Sequence, residues 1–207
     1  MNREAKYTSW PLPEPLTRTV VKYLDIYRLG ITVVLGLAFL ANWSGWPAVG
    51  SKPFFASIVL GLYVLSALFY LVRAKDFHTD IFRLAQISMT TDVLFLGGLV
   101  ITLSGVENGI GILLVFTSAT AAMLLQLRYA LLLASVAALF MVGNAIFNFF
   151  QAGADARTVI QSALFGITAL VAAVLANQVA YWARDYRLVA EKRKEALSEL
   201  EQANELI

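Results

Sequence analysis

Apolar residues collect into six runs along the chain, at 29–46, 54–72, 84–103, 110–126, 131–150 and 160–181. A helix rises about 1.5 Å per residue, and hydrocarbon about 30 Å thick takes roughly 20 residues to cross. Each run therefore predicts a membrane-spanning helix. Helix breakers fall between them: Pro47, Gly50 and Pro53, then Ser104-Gly105 through Gly109, then Gly153. Arg128 marks a tight turn between the fourth and fifth runs. The predicted fold is all-α, a six-helix transmembrane bundle over 29–181. Residues 1–28, with 7–15 read as a flexible lead-in, precede it, and a coiled-coil-like helix over 182–207 continues the sixth span.

Composition strengthens this picture. Hydrophobic residues are 59% and charged residues 14% of the chain, against roughly half and a quarter in soluble domains. The chain has no cysteine, which excludes disulfides, thiolate metal sites and cysteine nucleophiles. Residues 1–28 carry charges and three prolines, unlike a cleavable signal peptide. Orientation follows from lysine and arginine, which favour the cytoplasmic side. With both termini inside, fourteen basic residues, Arg28 among them, are cytoplasmic, and Lys52 and Arg157 alone lie outside. The outer loops 47–53, 104–109 and 151–159 are too short for a separate sensor domain. Any signal must be met within or at the edge of the bilayer.

The C-terminal segment has a period of its own. Steps of three and four from Val179 reach Trp182, Tyr186, Val189, Arg193, Ala196, Leu200, Ala203 and Ile207. All but Arg193 are apolar or aromatic, and Glu191, Lys192, Lys194, Glu195, Glu199 and Glu201 flank them. This is the pattern of a coiled-coil seam, so Val189, Ala196, Leu200, Ala203 and Ile207 are the expected dimer contacts. A solvated amphipathic helix lying along the membrane is the plainer alternative. Trp182, Tyr181 and Tyr186 suit an interfacial aromatic belt.

Within the spans, Asp92 stands out as the one carboxylate deep inside a run. It lies about nine residues, or roughly 14 Å, beyond Arg83. An aspartate at a helix centre costs about 2.5–3.5 kcal/mol on the insertion scale, so Asp92 is expected to face protein. Ser88 and Thr91 share its face, and depth-matching brings Thr117, Ser118 and Thr120 of the fourth run beside it. Its role is either to fix helix packing or to read a signal; a proton relay would need a second buried carboxylate or histidine. Asn144, Asn148 and Gln151 recur on one face of the fifth run, as interhelical glue or as a groove for another membrane segment. Asn177 and Gln178 read in the same way. Gly97-Gly98 and Gly166 permit close helix contacts. His78, alone among the acids of 76–80, reads as a solvated loop residue. No phosphate-binding loop, catalytic triad or zinc spacing is present.

These residues resemble the membrane domain of PilS-type sensor histidine kinases. The similarity is carried by Tyr27-Arg28-Leu29, by Thr91-Asp92-Val93-Leu94 with Ser104-Gly105 and the run 109–114, and by the exit from Ala183-Arg184 through 199–207. Val106-Glu107-Asn108 departs from the more Gly/Ser-rich turn of the family. The resemblance implies a bacterial inner-membrane homodimer that senses the transmembrane helix of type IV pilin. It also implies PAS, phosphoacceptor and ATP-binding domains after Ile207, using ATP and Mg and acting on a response regulator. The chain itself is expected to hold no cofactor, metal or catalytic residue and to bind no nucleic acid. Its end at Asn204-Glu205-Leu206-Ile207 reads as a break before that machinery. The rival readings are a sensor for a cyclase or phosphodiesterase, a small transporter or channel, and, least favoured, a membrane enzyme.

Overall fold

A computed structural model describes residues 12, 14–41, 53–73, 80–103, 109–153 and 155–205. They form six helices: α1 Glu14–Ala41, α2 Pro53–Arg73, α3 Ile81–Thr102, α4 Ile110–Leu124, α5 Leu127–Ala152 and α6 Ala156–Glu205. The expected all-helical architecture is observed. Four helices are long and apolar enough to cross a bilayer, α2, α3, α5 and the membrane part of α6. The fifth, α4, is apolar but only 15 residues long, about 22 Å at the helical rise. The first reaches back to Glu14, into the stretch expected as a lead-in, and the rest of its expected span, 42–46, lies outside the described residues.

Of the expected breakers, Pro53 starts α2, and Gly109 and Gly153 stand at helix ends. Asp80 caps α3, its Oδ1 accepting from the backbone N–H of Phe82 at 3.2 Å and Arg83 at 3.5 Å, the usual use of Asp at this position. Gly109 and Gly153 adopt φ of 78° and 64°, a left-handed backbone that glycine enters without steric cost. The first starts α4 and the second closes α5. The α4–α5 turn needs only Leu125 and Gln126.

The third helix is the centre of the bundle. It packs on α1, α2, α4 and α5, while α6 packs chiefly on α4 and α5. Its Met89, Val93, Leu96, Leu99 and Val100 are fully enclosed. Large apolar side chains instead cover the outside, among them Leu139, Phe150, Val72 and Leu37. That distribution suits a bundle solvated by lipid, where outward leucine and phenylalanine carry no hydrophobic penalty. The expected glycine contacts are present. A Cβ on Gly97 would clash with the Phe140 ring, and one on Gly166 would stand 3.1 Å from Cβ of Ala138.

Gly97→Ala is expected to lower stability by about 1–3 kcal/mol, the usual range for overpacking, in detergent-titration unfolding. Gly143→Ala, at a site with nothing within 4 Å, should change it little.

Candidate functional site

Asp92 lies midway along α3 and is 4% exposed. A carboxylate in such a place must find a partner, because removing an ion from water unpaired costs several kcal/mol. The partner is Arg28. Its Nε donates to Oδ2 of Asp92 at 2.6 Å, and Nη2 stands 2.6 Å from the same oxygen. Nη1 donates to Oδ1 of Asp25, three residues earlier on α1, at 2.7 Å. Asp25 and Arg28 are 0% and 1% exposed. Asp25 Oδ2 has no hydrogen-bond partner among the described residues. The ring of Tyr70 from α2 has its centroid 5.8 Å from the guanidinium carbon, within range of a cation–π contact.

This corrects two expectations. The charge pattern put Arg28 at the cytoplasmic edge of the first span, with Asp92 alone inside the bundle. The neighbouring Tyr27 in fact packs its ring 4.8 Å from that of Phe116, near the middle of α4. Arg28 is therefore at the depth of Asp92, and Asp25 is the second buried carboxylate. A long cationic side chain at the end of an apolar run reads as an interfacial anchor by default. The available signal was the i,i+3 spacing of Asp25 and Arg28 together with the apolar residues Leu16, Val20, Val21 and Leu24, which carry a helix upstream. Both carboxylates share one guanidinium, so the three groups form a closed cluster at one level. They are not a series of sites crossing the bundle.

The residues beside Asp92 extend the network. Thr91 gives its hydroxyl proton to the Ile87 carbonyl at 2.8 Å, so Tyr70, 2.9 Å away, is the donor to Thr91. Thr90 likewise donates to Gln86 and accepts from Tyr129 of α5 at 2.8 Å. Three consecutive α3 residues thus reach three different helices: Thr90 to α5, Thr91 to α2 and Asp92 to α1. Successive side chains turn by about 100° around a helix, so a central helix can address three neighbours within one turn. Ser88 is buried one turn before Asp92, and its Oγ has no partner among the described residues.

Other predicted residues divide. Thr117 and Ser118 are buried at the expected level but bond to the carbonyls of Leu113 and Leu114 in their own helix. Thr120 does the same with Phe116. Asn144 does act as interhelical glue, donating from Nδ2 to the Val100 carbonyl at 3.2 Å. Asn148 is half-buried and Gln151 exposed, so the fifth-helix polar face grades from the core outwards. On the expected seam, Val189 and Ala196 are exposed. The side chains of Leu200 and Ala203, and Ile207 as a whole, lie outside the described residues, as does His78. Among the described residues no group of three acids or histidines could hold a metal.

Residues 12–190 match one family model, described as the PilS-like transmembrane domain. No curated protein and no solved structure matches the chain.

Removing one partner of a buried pair strands the other charge and typically costs about 3–5 kcal/mol. Arg28→Ala, which strands both Asp92 and Asp25, should destabilise the bundle by at least that order in nanodisc unfolding, and Asp92→Ala by less, because Arg28 keeps Asp25. The double variant is expected to lose clearly less than the sum, since only Asp25 is then left without its cation.

Proposed function

The chain belongs to the PilS-like transmembrane domain family, the membrane sensor module of PilS-type histidine kinases, and from that premise we propose that it takes its input inside the bilayer and delivers it through α6 to cytoplasmic kinase domains. One observation carries this reading. α6 runs unbroken from Ala156 to Glu205, so the helix packed on α4 and α5 and the tail beyond them are one continuous helix. Its 50 residues are about 75 Å long, far more than the roughly 30 Å of hydrocarbon. A rotation or shift imposed on its membrane half is carried into the tail without a hinge.

The basic residues support an orientation with both ends in the cytoplasm of a bacterial inner membrane. Thirteen stay on that side even with Arg28 moved into the bundle, against two outside. Val179, Trp182, Tyr186 and Val189 are all exposed on one stripe of α6, which favours pairing with the same stripe of a second copy over a helix lying unpartnered. Leu200, Ala203 and Ile207 continue that stripe in the sequence. The ATP, Mg and response regulator of such a kinase belong to domains beyond this chain.

The input is a membrane helix, by family resemblance that of type IV pilin. It acts by binding two packings of the bundle unequally, the condition for any ligand to shift a conformational equilibrium. The α3 hub supplies a well-defined packing to be biased. Asp92, Ser88 and Thr91, with Asn144 and Asn148 on α5, are the polar groups placed to respond.

Single cysteines at Val189, Ala196 and Ala203 are expected to crosslink between copies in preference to those at Glu191, Glu195 and Glu199. Equal yields would remove the seam. In the intact kinase, Asp92→Asn should alter phosphorylation output more than protein level; loss of folded protein with unchanged specific output would reduce Asp92 to a packing residue.

A further inference from the structure

The fully buried positions that α6 turns into the bundle are Ser162, Gly166, Ala169, Ala173, Asn177 and Ala180, flanked by half-buried Phe165 and Leu170 packed on the core. Five of the fully buried positions are small. Small residues let helix backbones approach closely, as Gly166 does with Ala138. Such a face holds by contact area, and Phe165 and Leu170 are its two large packed side chains. Ser162 adds no direction, since its buried Oγ has no partner among the described residues.

Asn177 is different. It is 1% exposed, and its Nδ2 donates to the Ala122 carbonyl at 2.7 Å, with the Leu125 carbonyl at 3.5 Å. Both oxygens lie where α4 ends, and the last carbonyls of a helix have no acceptor role left within it. In an apolar surrounding those carbonyls need a donor from elsewhere. The same α4–α5 turn is followed at once by Tyr129, which is bonded to Thr90 of the α3 hub. The contacts therefore run from Arg28 and Asp92, through α3, to Tyr129 and the turn, and from the turn to Asn177.

We infer that Asn177 is the positioning residue of the output helix: its amide, with two N–H donors, holds the Ala122 and Leu125 carbonyls together and so sets the rotation and height of α6 against the end of α4. The inference rests on α6 being the output helix, but its test reads the position of α6 directly and needs no kinase.

The full chain has no cysteine, so spin labels can be placed at Arg128→Cys, in the first turn of α5, and Asp185→Cys, on α6, both exposed sites. In nanodiscs, labelled protein diluted with excess unlabelled protein reports distances within one copy by pulsed electron paramagnetic resonance. The parent is expected to give a defined distance, and Asn177→Ala to broaden or split it. Asn177→Gln keeps the donor but moves it outward by one methylene, and should shift the distance with less broadening. Asn144→Ala, which removes a similar bond from α5 to α3, should leave it unchanged. The parent distribution in either Asn177 variant, or equal broadening by Asn144→Ala, would overturn the proposal. Should Asn177→Ala not fold, the Gln variant decides.

Discussion

A buried ion pair organises this bundle. Asp92 makes α3 expensive to insert alone, by about 2.5–3.5 kcal/mol for the carboxylate, and Arg28 adds a similar cost to α1 on the same scale. Brought together at 2.6 Å, each supplies what the other lacks. The requirement is directional, because Nε of the guanidinium meets Asp92 while Nη1 meets Asp25 on its own helix. It therefore fixes both the depth and the rotation of α1 against α3. That explains why α1 extends back to Glu14 and carries charged residues to mid-bundle depth, when an ordinary span would begin after them.

The polar contacts around this pair are concentrated on α3. Thr90, Thr91 and Asp92 reach α5, α2 and α1 from successive positions, and Asn144 returns to the α3 backbone from α5. A helix surrounded on all sides is the natural place for such groups, since every direction offers a partner and none offers water. Interhelical hydrogen bonds in membranes are modest singly, yet their angular spread leaves α3 little freedom relative to its neighbours. The contact of α6 with the bundle is of another kind. The fully buried positions on its packing face are mostly alanine, glycine and serine, with Asn177 bonded to the end of α4.

Much of this was legible from residue order. Six apolar runs give six helices, and Asp80, Gly109 and Gly153 stand at their ends. Asp92 was marked as buried because neither snorkelling nor lipid exposure is tolerable at its depth. Gly97 and Gly166 were marked as close contacts, and both are. What escaped was the partner of Asp92. Arg28 sits where a basic residue usually anchors a span at the interface, and sequence alone cannot separate that anchor from a cation drawn inward. Thr117 and Ser118 are buried, but each gives its hydroxyl proton to a carbonyl of its own helix, a choice that depth-matching does not reach.

The sequence by itself determined that this chain is a multi-pass helical membrane domain with a helix leaving it, because apolar run length and helical period are local properties set by bilayer thickness and backbone geometry. It also singled out Asp92, since the cost of an intramembrane charge depends only on its position in the run. The tertiary structure decided which residues answer that cost. Arg28 and Asp25 are distant from Asp92 in the chain, Tyr70 and Tyr129 choose their threonines by helix rotation, and Asn177 finds the carbonyls of Ala122 and Leu125 only when α6 lies against the end of α4. Those are questions of depth and facing between helices, and they are settled only when the helices pack.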